Sequence, residues 1–116
     1  MMDLIPKKSN IHGYGIFTQR DIKKGESFNQ TLLSKLPKEE HSNIISTHHY
    51  GQTIEGIYTR FLILGPPHFY NHSENPNTEI KLKKTTEDFY YLESSSLVDI
   101  NKGDEITILY FEGIKF

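Results

Sequence analysis

The chain has 116 residues, 13 Lys and Arg against 15 Asp and Glu, and a formal net charge of -2. That length predicts one domain over residues 1–116 and leaves no room for a second. The charge balance gives no global reason to bind nucleic acid, and no apolar run approaches the roughly 20 residues of a membrane span.

Cysteine is absent, which excludes disulfide frameworks, thiolate zinc clusters and cysteine nucleophiles. The first eight residues lack the apolar stretch of a signal peptide, so intracellular residence is the expectation. Ile occurs 14 times and Thr nine times, while Ala and Trp do not occur. β-Branched side chains lose rotamer freedom in helices and pack well on pleated surfaces, so composition predicts a mostly β domain.

In chain order, residues 3–8 read as a first short strand, and residues 10–15 as a loop with two glycines around an aromatic. Ile16-Phe17-Thr18 reads as a strand, Asp21 to Glu26 as a turn, and Phe28 to Leu33 as the next strand. Pro37 to His49 is polar and reads either as a short helix opened by Pro37-Lys38-Glu39-Glu40 or as a surface loop. Arg60 to Leu64 is a compact apolar run, predicted as a buried strand that Gly65-Pro66-Pro67 stops.

Asn71 to Asn77 is rich in turn formers. Thr78 to Lys83 alternates, with Ile80 and Leu82 on one side and Glu79, Lys81 and Lys83 on the other, the pattern of a half-buried strand. A turn at Thr85-Thr86-Glu87 leads to a partner strand from Asp88 to about Leu92, completing a hairpin. Asp99-Ile100-Asn101-Lys102-Gly103-Asp104 repeats the chemistry of the turn at Asp21 almost residue for residue. A final strand over Glu105–Phe111 would put Ile106, Ile108 and Tyr110 on one face.

Three segments carry candidate chemistry: Gly13-Tyr14-Gly15, Asn71-His72-Ser73-Glu74-Asn75-Pro76-Asn77, and Gly103-Asp104-Glu105-Ile106-Thr107-Ile108-Leu109-Tyr110. Singly, the first reads as an ordinary turn, the second equally as an Asx turn or a functional segment, and Tyr110 as a core aromatic. In this order and near these spacings, the set resembles the SET domain of protein lysine methyltransferases, from about His12 to Phe111. The chain is close to the family's bare minimum, like the small stand-alone SET proteins of some large DNA viruses.

The resemblance implies a β-clip-like fold of several short, curved sheets with little helix and a C-terminal pseudoknot that brings Asn71–His72 against Thr107–Tyr110. It implies S-adenosylmethionine as cofactor, with Gly13, Tyr14 and Gly15 approaching its methionine end. Asn71 is then expected to hydrogen-bond the cofactor's amino-acid part, with the His72 backbone at its adenine. Tyr110 matches the family's active-site tyrosine, and Tyr110 with Phe111 would wall the lysine channel. The implied partner is a Lys-containing peptide or protein, histone being the family's commonest class. The family's minimal members include dimers, and pairing adds core to a small domain, so a homodimer is a further expectation.

Departures accompany the likeness. His68 stands where the family often has Arg, Leu109 where it often has Asp, and the flanking zinc-binding cysteines are absent. The aromatic lid over the site would have to come from Phe111 or Phe116. The competing functional reading is a catalytically inactive SET-like module that binds a peptide or protein, because one fold can host different tasks. A generic β domain with no site is the third. His68 and His72, four apart, would suit a metal pair on a helix, but no glutamate sits between them and prolines precede; no metal is expected.

Overall fold

The computed structural model describes residues 3–36, 49–85, 89–110 and 114–115. Strands dominate: β1 (Leu4–Lys8), β2 (Tyr14–Thr18), β3 (Ser27–Lys35), β4 (His49–Ile54), β5 (Ile57–Ile63), β6 (Asn71–His72), β7 (Thr78–Lys84), β8 (Tyr90–Ser96), β9 (Thr107–Ile108) and β10 (Ile114–Lys115). Among the described residues one 3₁₀ turn, Pro66–Phe69, lies between β5 and β6. Three sheets result: an antiparallel pair β1–β2, a six-stranded sheet ordered β10-β4-β5-β3-β8-β7, and a parallel pair β6–β9. No helix among the described residues is long and apolar enough to cross a membrane. The candidate helix near Pro37 and the turn at Thr86–Glu87 lie outside the described residues.

The six-stranded sheet exists because its inward positions alternate. Thr59, Phe61 and Ile63 are buried on β5, and Leu92, Ser94 and Ser96 on β8. Phe61 and Leu92 are wholly shielded from solvent, and burying such side chains contributes about 1.5–3 kcal/mol each. Strand β8 runs four residues past the predicted end at Leu92. Its serines face inward because the fold satisfies them: Ser94 Oγ meets the Tyr70 hydroxyl at 2.9 Å, and Ser96 Oγ donates to the Lys23 carbonyl while accepting the Glu26 N–H.

The hairpin β4–β5 includes the predicted strand at Arg60 and extends it back to Ile57, with β4 as a partner that the sequence does not signal. It turns through Glu55 (φ 50) and Gly56 (φ 82), both left-handed, as a two-residue type I′ connection requires. Glutamate is an unusual occupant of that first position, so the sequence gives a weak signal there.

The two similar turns prove to be partners. Ile22 and Ile100 exchange both backbone hydrogen bonds at 2.8 Å. Asp21 Oδ1 accepts the Lys102 N–H, and Asp99 Oδ1 accepts the Lys24 N–H, each at 2.8 Å. Within each turn the sixth residue repeats the theme, Glu26 accepting from the Lys23 N–H and Asp104 from the Asn101 N–H, both at 3.1 Å. Ile22 and Ile100 are buried beneath.

This clasp delivers residues 104–110 into the interior. On one side Ile106 N–H bonds the Ile16 carbonyl (2.8 Å) and Thr18 N–H bonds the Asp104 carbonyl (3.1 Å). On the other, β9 pairs β6 in the register Asn71–Thr107 and His72–Ile108. The expected final strand Glu105–Phe111 is thus shortened to Thr107–Ile108, and its expected one-sided burial is replaced. Ile106, Thr107 and Ile108 are all buried, because elements cover the segment on both sides. The contact expected of the pseudoknot, Asn71–His72 against Thr107–Tyr110, is present.

Two core tyrosines give the fold a pH limit. Burial pushes the Tyr50 hydroxyl up to about 12 and raises that of Tyr70. An unfolded tyrosine titrates near 10, so the neutral phenols stabilise the fold fully below pH 10 and lose that contribution as pH rises through the folded values. The melting temperature is therefore expected to fall between pH 10 and about 12, in step with tyrosinate absorbance. A flat profile across that window would contradict the burial of these hydroxyls.

Candidate functional site

A cavity of about 390 Å³ opens where β2, β6 and the end of the buried C-terminal segment meet. Its wall is built from residues 11–14, residues 68–72 and Tyr110. Of the residues singled out from sequence, Gly13, Tyr14, Asn71, His72 and Tyr110 converge here. Gly15 lies behind the wall, and Phe111 lies outside the described residues. His68 sits in the 3₁₀ turn and His72 on β6, so they do not share a helical face.

The loop before β2 is shaped by Ser9. Its N–H reaches the Gly13 carbonyl at 2.7 Å, while its Oγ accepts the Ile11 N–H at 2.9 Å and the His12 N–H at 3.4 Å. Gly13 completes the loop with φ +48, and nothing lies within 4 Å of where a Cβ would stand. Its backbone therefore offers an open approach.

Asn71 is buried and points its amide at that loop. Nδ2 donates to the carbonyls of His12 (3.0 Å) and Tyr14 (3.3 Å) and to Glu105 Oε2 (2.8 Å). All three neighbours are acceptors, which fixes the amide orientation. Both amide protons are thereby committed, and Oδ1 is the polar side-chain atom Asn71 can offer a ligand.

Tyr110 is held at both ends. Its hydroxyl donates to the Tyr70 carbonyl at 2.5 Å, and its backbone N–H donates to His72 Nδ1 at 2.9 Å. The His72 and Tyr110 rings lie 5.2 Å apart at 57°. An accepting Nδ1 places the imidazole proton on Nε2, which donates to Glu74 Oε1 at 3.1 Å. Burial, and then the Glu105 charge, raise the Tyr110 hydroxyl above the ordinary phenol value. It stays protonated at neutral pH and serves as a hydrogen-bonding group, not a base.

Three participants were invisible in sequence: Tyr70 as carbonyl acceptor, the His72 side chain as a latch on Tyr110, and Glu105. A backbone carbonyl leaves no mark in sequence. His72 and Glu105 stood within the segments singled out, but only the fold aims their side chains.

The family model for the SET domain matches residues 13–111. The chain belongs to the SET domain family. Members of that family are typically methyltransferases, and one of two curated relatives carries that activity in its name. The chain is 30% identical over 121 residues to a variant-silencing SET domain-containing protein of Plasmodium falciparum. It is 33% identical over 115 residues to the mouse histone-lysine N-methyltransferase NSD3. These alignments cover 93% and 89% of this chain but only 5% and 8% of those proteins. Among solved structures, the SET domain resembles a crystal structure from Plasmodium falciparum described as a candidate histone methyltransferase. The TM-score is 0.82 at 26% identity, covering 97% of this chain and 96% of that one. A Chaetomium thermophilum Polycomb Repressive Complex 2 structure shares the fold at TM-score 0.76 and 17% identity, over 96% of this chain and 15% of that one.

Proposed function

We propose that this SET domain is an S-adenosylmethionine-dependent protein lysine N-methyltransferase acting on a lysine in a histone or another protein tail. The observation that carries the reading is the convergence of Gly13, Asn71 and Tyr110 on one largely apolar cavity. The cavity suits the cofactor on chemical grounds. Gly13 leaves a backbone edge open to approach, and Asn71 Oδ1 is an acceptor matched to an ammonium group. The cofactor would supply a sulfonium methyl as electrophile.

The rest falls to the protein. A lysine amine has a pKa of about 10.4 and must be neutral to attack. An apolar wall disfavours the ammonium and lowers that value. Tyr110, fixed through Tyr70 and His72, orients the amine toward the methyl group. The rate gain then comes from positioning and preorganised polarity.

A thermal-shift titration with S-adenosylmethionine tests the binding half. At a hundredfold excess over Kd a native-state ligand adds about 2.7 kcal/mol, so the melting temperature should rise by several degrees. No shift at millimolar cofactor would sink the reading. Radiolabelled methyl transfer onto histones and lysate tests the rest. Cofactor binding without labelling of any protein would favour the peptide- or protein-binding module.

A further inference from the structure

We infer that Glu105 is a positioning residue for the cofactor-facing loop, acting as a double acceptor that holds Ser9 and Asn71 in one frame. The effect on cofactor affinity rests on the function proposed above; the effect on the loop does not.

Glu105 enters on the segment threaded between β2 and β6, where it bridges Phe17, and its own carbonyl accepts from Asn77 Nδ2 at 2.8 Å. The backbone is therefore pinned before the side chain is considered. The carboxylate then divides its work. Oε1 accepts from Ser9 Oγ at 2.7 Å, and Oε2 accepts from Asn71 Nδ2 at 2.8 Å. Charge-assisted bonds of this length are the strong kind.

Proton bookkeeping on the neighbours shows why the position needs a carboxylate. Ser9 has one hydroxyl proton and two lone pairs. Its oxygen already accepts from two backbone N–H groups, so its proton can only go to residue 105. The Asn71 amide likewise presents a donor. Residue 105 is faced by two donors and must be an acceptor on both sides. Glutamine, equal in size, has one acceptor and would turn its NH₂ against one of them.

The two donors belong to the two halves of the cavity wall. Ser9 shapes residues 9–13, and Asn71 ties β6 to the carbonyls of His12 and Tyr14. Glu105 is the common anchor, and Gly15 leaves the space it occupies: a Cβ there would stand 2.2 Å from Oε2.

The test uses Glu105→Gln, Ser9→Ala, the double variant, and Glu79→Gln as a control at an ion-paired surface carboxylate. Amide hydrogen exchange at Ile11 and His12, without cofactor, is expected to accelerate about tenfold in Glu105→Gln. The double variant should exchange little faster than either single one, because both break one network. The cofactor KM should rise about tenfold with kcat close to wild type, since Tyr110 keeps its own anchors. A general loss of packing would instead lower kcat and melting temperature together. Exchange and KM within twofold of wild type in Glu105→Gln would overturn the inference. Should that variant fail to fold, Glu105→Asp, which keeps both acceptor oxygens but draws them back by one methylene, carries the same expectation, and an unchanged loop and KM there would overturn it. If the wild-type protein binds no cofactor while Glu105→Gln still frees the loop, the functional reading fails and the anchor stands.

Discussion

Tyr110→Phe is expected to lower methyl transfer about a hundredfold, the scale set by misplacing a reacting group, while cofactor affinity stays near wild type. The hydroxyl is bonded to the Tyr70 carbonyl at 2.5 Å, so its loss leaves that acceptor short of a donor, a cost of about 1–3 kcal/mol if no water replaces it. The ring stays in place because the His72 latch acts on the backbone N–H, which the substitution does not touch. Chemistry should therefore suffer far more than stability. Radiolabelled transfer onto a histone mixture, with melting temperature in parallel, separates the two. A phenylalanine variant that methylates as fast as wild type would remove the hydroxyl from the mechanism.

Gly15→Ala should be the most damaging single methyl group added to the site. The new Cβ would lie 2.2 Å from Glu105 Oε2 and 3.0 Å from Asn71 Nδ2. A carboxylate at the end of a side chain can usually step aside, but this one is held by two hydrogen bonds, each worth about 1.5–3 kcal/mol. Moving it breaks at least one. The melting temperature is expected to drop by roughly 5–15 °C, and cofactor binding should weaken with it. Gly13→Ala is the informative contrast. There the Cβ meets open space and only the positive φ opposes it, costing about 1–2 kcal/mol. Equal losses at the two positions would mean that Glu105 yields freely.

Much of this was legible in the sequence because it depended on local pattern or on linked motifs. The alternation of Ile80 and Leu82 announced β7, and the proline pair announced the end of β5. The meeting of Asn71–His72 with Thr107–Tyr110 was readable only through family likeness, since no local rule predicts a two-residue parallel pair. Failures cluster where tertiary context reversed a local signal. Ser94 and Ser96 lie past the predicted strand end at Leu92 but continue β8 and face inward, satisfied by Tyr70 and the turn at Lys23. Thr107 looked solvent-facing by alternation, yet the strand is covered on both sides. Glu55 took a left-handed conformation that sequence assigns to Asn or Gly. In the site, the type of Tyr110 and Asn71 was readable; the anchoring of both by Tyr70, His72 and Glu105 was not, because it depends on where side chains and carbonyls point after folding.

The reciprocal clasp between the turns at Asp21 and Asp99 has a kinetic side. Its two carboxylate bonds join residues 81 and 75 positions apart in the chain. Loop-closure entropy must be spent before such contacts return anything, so they belong to the late, slow part of the reaction. Glu105 reaches Ser9 across 96 positions, a longer closure still, whereas its bond to Asn71 and that of Tyr110 to Tyr70 span only 34 and 40. A chain with these longest closures unmade would leave the loop at residues 9–13 without its Glu105 anchor. The cavity thus draws its wall from closures of very different length, about 40 positions at Tyr110 and 96 at Ser9.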